Sequence, residues 1–219
     1  MSSKLSKWIV VPAAVLWFGS VALGQDTSSS GSSTQASGTT KSTQKQPTIA
    51  ERKENQQDRI ANGVKSGQLT AGETSNLESK EAAINGETRA DRAANGGKLT
   101  PAEKQQINRQ QNQVSKQIYQ DKHNANTAHY GNNAVGQRRE NQQDRIAQGI
   151  KSGQLTAGET AKLENQQKGI NQQVKADRAA NGGKLTQGEK KQINKEQNAA
   201  SKNIYNKKHN ANTQAGTKK

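Results

Sequence analysis

The chain has 219 residues, a formal net charge of +15, 28% hydrophobic and 3% aromatic residues, and no cysteine. Without cysteine there is neither a disulfide framework nor a lipid-modified N-terminal cysteine. So few apolar groups combined with so much like charge lie near the boundary of intrinsic disorder, so any core must be light.

At the start of the chain, Lys4 and Lys7 precede an apolar run of eleven residues from Trp8 to Phe18, followed by Ala22-Leu23-Gly24. A charged segment, a short apolar segment and a small-residue cleavage site predict a signal peptide over residues 1–24, cut before Gln25. The apolar run is shorter than the roughly 20 residues of a membrane span; an uncleaved N-terminal anchor is the alternative. The protein is therefore expected to be exported, to the periplasm or the extracellular space. Cleavage removes Met1, Trp8, Trp17 and Phe18, leaving Tyr119, Tyr130 and Tyr205 as the aromatics. It also removes two lysines and no acid, which lowers the charge from +15 to +13. Residues 25–48 are rich in Ser, Thr, Gly and Gln, with no apolar period, and read as a disordered linker.

Beyond the linker the text repeats. Residues 51–127 and 137–213 align without a gap at an offset of 86, with 52 of the 77 paired positions identical. The phrases ENQQDRIA, KSGQLTAGET, ADRAANGGKLT and KHNANT recur in the same order. A tandem duplication makes the repeat the folding unit. The organisation read from this is repeat 1 over 49–127, a spacer over 128–136, repeat 2 over 137–213 and a basic tail over 214–219.

Within repeat 1, Thr70 with Glu73 and Thr100 with Glu103 have the spacing of capping boxes, in which threonine and glutamate satisfy each other's free backbone amides. Pro101 suits the first helical position. The second copy has the same signals at Thr156 with Glu159 and Thr186 with Glu189. Glycine and asparagine before each start end the preceding helix. The fold class is therefore all-α, a tandem duplication of a three-helix module. Its helices are expected near 50–63, 71–94 and 101–124, with matching starts near 157 and 187. Sparse stripes mark the inner faces: Ile60 and Val64, Leu77 and Ile84, Ile107, Val114 and Ile118. Leu69 and Leu99, each one residue before a capping threonine, are expected to turn inward, and Tyr119 to pack beside Ile118. So thin a core predicts low stability unless the repeats dock or a partner binds.

The loop Ser66–Glu73, SGQLTAGE, resembles the second half of an EF-hand loop, with Gly67 at the turn and Glu73 at the last ligand position. ANGGKLTPAE is similar. With the ending SKQIYQDKHN over Ser115–Asn124, the repeats resemble uncharacterised exported bacterial helical-repeat proteins with degenerate EF-hand-like loops, a family that implies no activity. The ligand count argues against a full calcium site. With Glu73 as position 12, positions 1, 3 and 5 fall on Asn62, Val64 and Ser66, where oxygen ligands are wanted. In the other loop they fall on Arg92, Ala94 and Gly96. Capping is thus one reading of Glu73, Glu103, Glu159 and Glu189, and weak calcium binding the other.

The repeated His123 and His209 follow lysines in a last helical turn, where cations complement the helix dipole. Ser115 and Ser201 lack the neighbours of an activated nucleophile. No paired carboxylates are apparent, so the protein is not expected to be an enzyme. The basic excess remains. The third helix of repeat 2 carries Lys190, Lys191, Lys195, Lys202, Lys207 and Lys208 against Glu189 and Glu196, a net of +4, whereas its counterpart reaches +2. Such a field favours anionic envelope polymers or other polyanions, including DNA and lipid head groups. The alternative is a solvated basic surface. No nucleic-acid motif or aromatic stacking platform is present.

Overall fold

The computed structural model describes residues 46–214. The predicted signal peptide, most of the linker and the residues after 214 lie outside the described residues. Among the described residues there are six helices and no strand: α1 Ile49–Lys65, α2 Ala71–Ala94, α3 Pro101–Lys122, α4 Ala134–Lys151, α5 Ala157–Ala180 and α6 Gln187–Lys208.

Side-chain chemistry at the ends explains the boundaries. Thr48, Thr70, Thr100, Thr156 and Thr186 each cap a helix through a complete box with the glutamate three residues on. The exception is α4, whose first amides are served by Asn133, with the side-chain oxygen accepting from the Gly136 amide. The α1–α2 loop depends on two glycines. Gly67 has φ of 71°, the left-handed region that penalises a side chain. At Gly63 a Cβ would stand 2.6 Å from Leu69 Cδ1, so the missing side chain is what lets Leu69 fold back onto α1. The Leu69 amide then donates to the Gly63 carbonyl at 3.0 Å, and Leu155 and Gly149 repeat the arrangement.

Packing places α2 along α5 and α1 against α4, while α3 covers α1 and α2, and α6 covers α4 and α5. The α2–α5 pair is antiparallel, with Gly72 facing the Lys168 stem and Gly158 facing Ala82. One apolar cluster spans both halves, joining Ile60, Val64, Leu77 and Ile118 to Ile146, Ile150, Leu163 and Ile204. Sharing a core raises the buried fraction above what either half achieves alone. Polar ties supplement it: Gln56 Nε2 donates to the Gln111 carbonyl and Gln111 Nε2 to the Ile49 carbonyl, fastening α3 to α1. Gln142 and Gln197 do the same between α4 and α6.

Four details differ from the sequence expectations. Tyr119 and its counterpart Tyr205 are not core residues but 60% exposed. Each follows a fully buried isoleucine, and successive helical residues point about 100° apart, so both cannot face inward. The spacer read as 128–136 is shorter, because Asn133 starts α4 inside it. Gln214, placed in the tail, is buried and its amide donates to the Gly153 carbonyl, as the Ala128 amide does to Gly67. The third helix ends at Lys122 rather than 124, because Asn124 turns its side chain to Glu73.

Candidate functional site

Glu73, Glu103, Glu159 and Glu189 are each committed to backbone and side-chain donors. Glu73 Oε2 accepts from the Thr70 amide and hydroxyl, while its Oε1 accepts from Asn124 and Asn126 at 2.8 and 3.2 Å. Glu159 is held identically by Thr156, Asn210 and Asn212. Partial burial pushes both carboxyls upward, but the bonds from asparagine and threonine outweigh it and hold them below the ordinary glutamate value. The recurring KHNANT phrase thus latches the end of α3 or α6 onto the start of α2 or α5. Glu103 and Glu189 cap their helices and accept from Asn95 and Asn181 across the loop. Among the described residues no group of three or more His, Asp or Glu side chains is arranged around a metal position.

The six basic candidates divide into two sets. Lys190, Lys191, Lys195 and Lys202 are exposed, whereas Lys207 and Lys208 are half-buried. Lys208 donates to Gln148 Oε1 at 3.0 Å, and its stem lies against Gly149, so it braces α6 against α4. At 100° per residue, Lys191, Lys195 and Lys202 fall on one stripe. That stripe lies opposite the buried Ile193, Gln197, Ala200 and Ile204. The acids of α6 are engaged elsewhere, Glu189 at its cap and Glu196 with Gln192.

Each exposed tyrosine stacks on a histidine one turn later, Tyr119 on His123 and Tyr205 on His209, with ring centroids 4.2 Å apart. The histidine Nδ1 sits 2.7 Å from the tyrosine carbonyl, so the imidazole closes the last turn. Ser115 and Ser201 accept from Arg59 and Arg145, ties between helices.

Sequence reasoning missed the buried carboxylates. Glu78 and Glu164 are fully buried, each accepting from a buried glutamine, Gln57 at 3.1 Å and Gln143 at 2.9 Å. Glu81 is buried beside Lys53, and neither of its oxygens has a hydrogen-bond partner. Burial pushes all three upward: Glu78 well above the usual range, Glu81 to about 7 and Glu164 to about 8. Glu78 also feels Glu81, one turn on along α2, and Glu164 across the contact between halves. A detectable signal existed: Glu78 and Gln57 persist at the offset as Glu164 and Gln143, although all five positions after Glu78 change.

No protein-family model, curated protein or solved structure matches this chain.

Proposed function

We propose that this is an exported, non-catalytic binding protein of the cell envelope, a tandem duplication of a three-helix module with EF-hand-like loops, whose α6 holds anionic polymers by charge. The observation that carries this reading is the exposed lysine row Lys191, Lys195 and Lys202, turned away from the core stripe; Lys190 is also exposed, about 100° round the helix from Lys191. Charge on an unpartnered face attracts polyanions by releasing their counterions, so the attraction weakens steeply with salt. The glutamates of the loops serve as caps in this reading, and the shared core makes the two modules one rigid support.

The test is retention of the full chain on a heparin column across a salt gradient, before and after replacing Lys190, Lys191, Lys195 and Lys202 by glutamine. Earlier elution with unchanged helicity is expected. Unchanged retention would remove α6 as the surface, and no retention at low salt would leave only a soluble basic protein.

A further inference from the structure

The antiparallel α2–α5 contact has a groove at each end, and the two grooves are made alike. One, of about 710 Å³, is lined by Lys53 of α1 and by Arg89 and Arg92 of α2, with Thr156–Gly158 at the start of α5 across from them. The other, of about 650 Å³, is lined by Arg139 of α4 and by Lys168, Lys175 and Arg178 of α5, with Thr70–Gly72 across from them. The offset of 86 carries Lys53 to Arg139, Arg89 to Lys175 and Arg92 to Arg178. Two of these three positions changed residue and all three kept their charge. Around them the sequence was freer: Glu87 became Gln173 and Thr88 became Val174.

Neither groove has an Asp or Glu in its lining. The nearest capping carboxylates, Glu73 and Glu159, are turned to their threonine and asparagine partners. In the first groove burial lowers the Lys53 ammonium; Glu81 opposes this, and the charges of Arg92 and Arg89 add to it. In the second, Gln167 stands where Glu81 would compensate. There Arg139 is only 8% exposed, its Nε has no hydrogen-bond partner, and its guanidinium lies 5.2 Å from the Tyr130 ring centre. Burial, and after it the charge of Arg178, lowers this group too, with Tyr130 opposing. A buried guanidinium with an unmet donor, crowded by like charge, is costly unless an anion completes it.

We infer that these grooves are a pair of equivalent sites for phosphoryl-bearing ligands, one at each end of the α2–α5 contact. Three or more cations converging on one groove call for more than one negative charge. Guanidinium groups match the oxygen spacing of a phosphoryl group through paired hydrogen bonds. No carboxylate lines either groove, and the one behind the first, Glu81, is buried beside Lys53, so a dianion meets little like-charge repulsion on entry. The inference concerns different residues from the α6 row and does not rest on it.

Calorimetric titration of the full chain with pyrophosphate at low salt tests it. Two ligands per chain are expected. Arg89→Gln with Arg92→Gln should remove one, and Lys175→Gln with Arg178→Gln the other, each weakening its groove at least tenfold. All four together should remove both. Arg89, Arg92 and Lys175 are exposed and Arg178 half-buried, so the fold should survive; helicity and melting temperature check this. Replacing the four α6 lysines should leave the stoichiometry at two, which separates this inference from the polymer reading. An eight-nucleotide oligothymidylate distinguishes the source of the phosphoryl group. Binding of both probes points to a phosphodiester chain, and binding of pyrophosphate alone to a terminal phosphate; either supports the sites. No saturable binding, one ligand per chain, or a stoichiometry of two that survives the four groove substitutions would overturn it.

Discussion

In the first half of the molecule Glu73 is held by Thr70, Asn124 and Asn126, and in the second Glu159 is held by Thr156, Asn210 and Asn212. Where the halves meet, the match breaks down. Ser75 donates to the Ala161 carbonyl at 3.1 Å, and Ala161, its counterpart, has no hydroxyl to return the bond. Glu81 is answered by Gln167 and Lys53 by Arg139. Groups that close each half on itself must stay chemically identical, because each loop needs the same donors and acceptors. Groups at the junction are free to become complementary, one half donating and the other accepting.

The largest effect that bears on this comparison is loss of the loop leucines. Leu69→Ala and Leu155→Ala should each cost about 2–5 kcal/mol, since both side chains are fully buried. Denaturant melts should show similar losses for the two; a silent variant in one half would mean that the halves do not close equivalently. Next come the latches. Glu73→Ala and Glu159→Ala should each cost about 1–2 kcal/mol through the lost cap and the stranded asparagines. With wild-type protein, millimolar calcium should shift the melting temperature by less than about 2 °C, an effect under about 1 kcal/mol. A larger calcium-specific rise, abolished by Glu73→Gln and Glu159→Gln, would make these loops ion sites instead.

The remaining effect belongs to the junction and shows only as pH is varied. Glu81 titrates near 4.5 when unfolded and at about 7 when folded, and Glu164 at about 8. At these two groups the folded state therefore holds more protons than the unfolded one between about pH 4.5 and 8, so their contribution to stability is full below that window and falls as pH rises through it. By linkage the shift corresponds to about 3 kcal/mol for Glu81 and about 5 kcal/mol for Glu164, a drop in melting temperature on the order of 10 °C for each across the window. Glu81→Gln should flatten the fall and Gln167→Glu should steepen it. If neither changes the pH profile, the junction is wetter than its burial indicates.

Much of this was legible in the sequence because it is local. Capping pairs lie three residues apart, so helix starts at Ala71, Pro101, Ala157 and Gln187 follow from Thr and Glu alone. The exposure of Lys191, Lys195 and Lys202 follows from their spacing against Ile193 and Ile204. The long-range chemistry was not legible. Asn124 and Asn126 meet a carboxylate about fifty residues away, and nothing near KHNANT announces it. Glu78 and Gln57 look like surface residues until the helices pack and bury them together. The grooves needed the antiparallel pairing of α2 and α5, which brings Lys168 over Gly72.

The most direct test of the charge account compares α6 with α3. On duplex DNA as a model polyanion, the salt slope of binding is about −0.9 for each phosphate neutralised. Replacing Lys190, Lys191, Lys195 and Lys202 by glutamine should reduce its magnitude by about 3 to 4, while Arg109→Gln with Lys116→Gln in α3 should change it by less than about 2. A slope that is the same in the α6 variant and the wild type would contradict the assignment of α6 as the polymer-binding face.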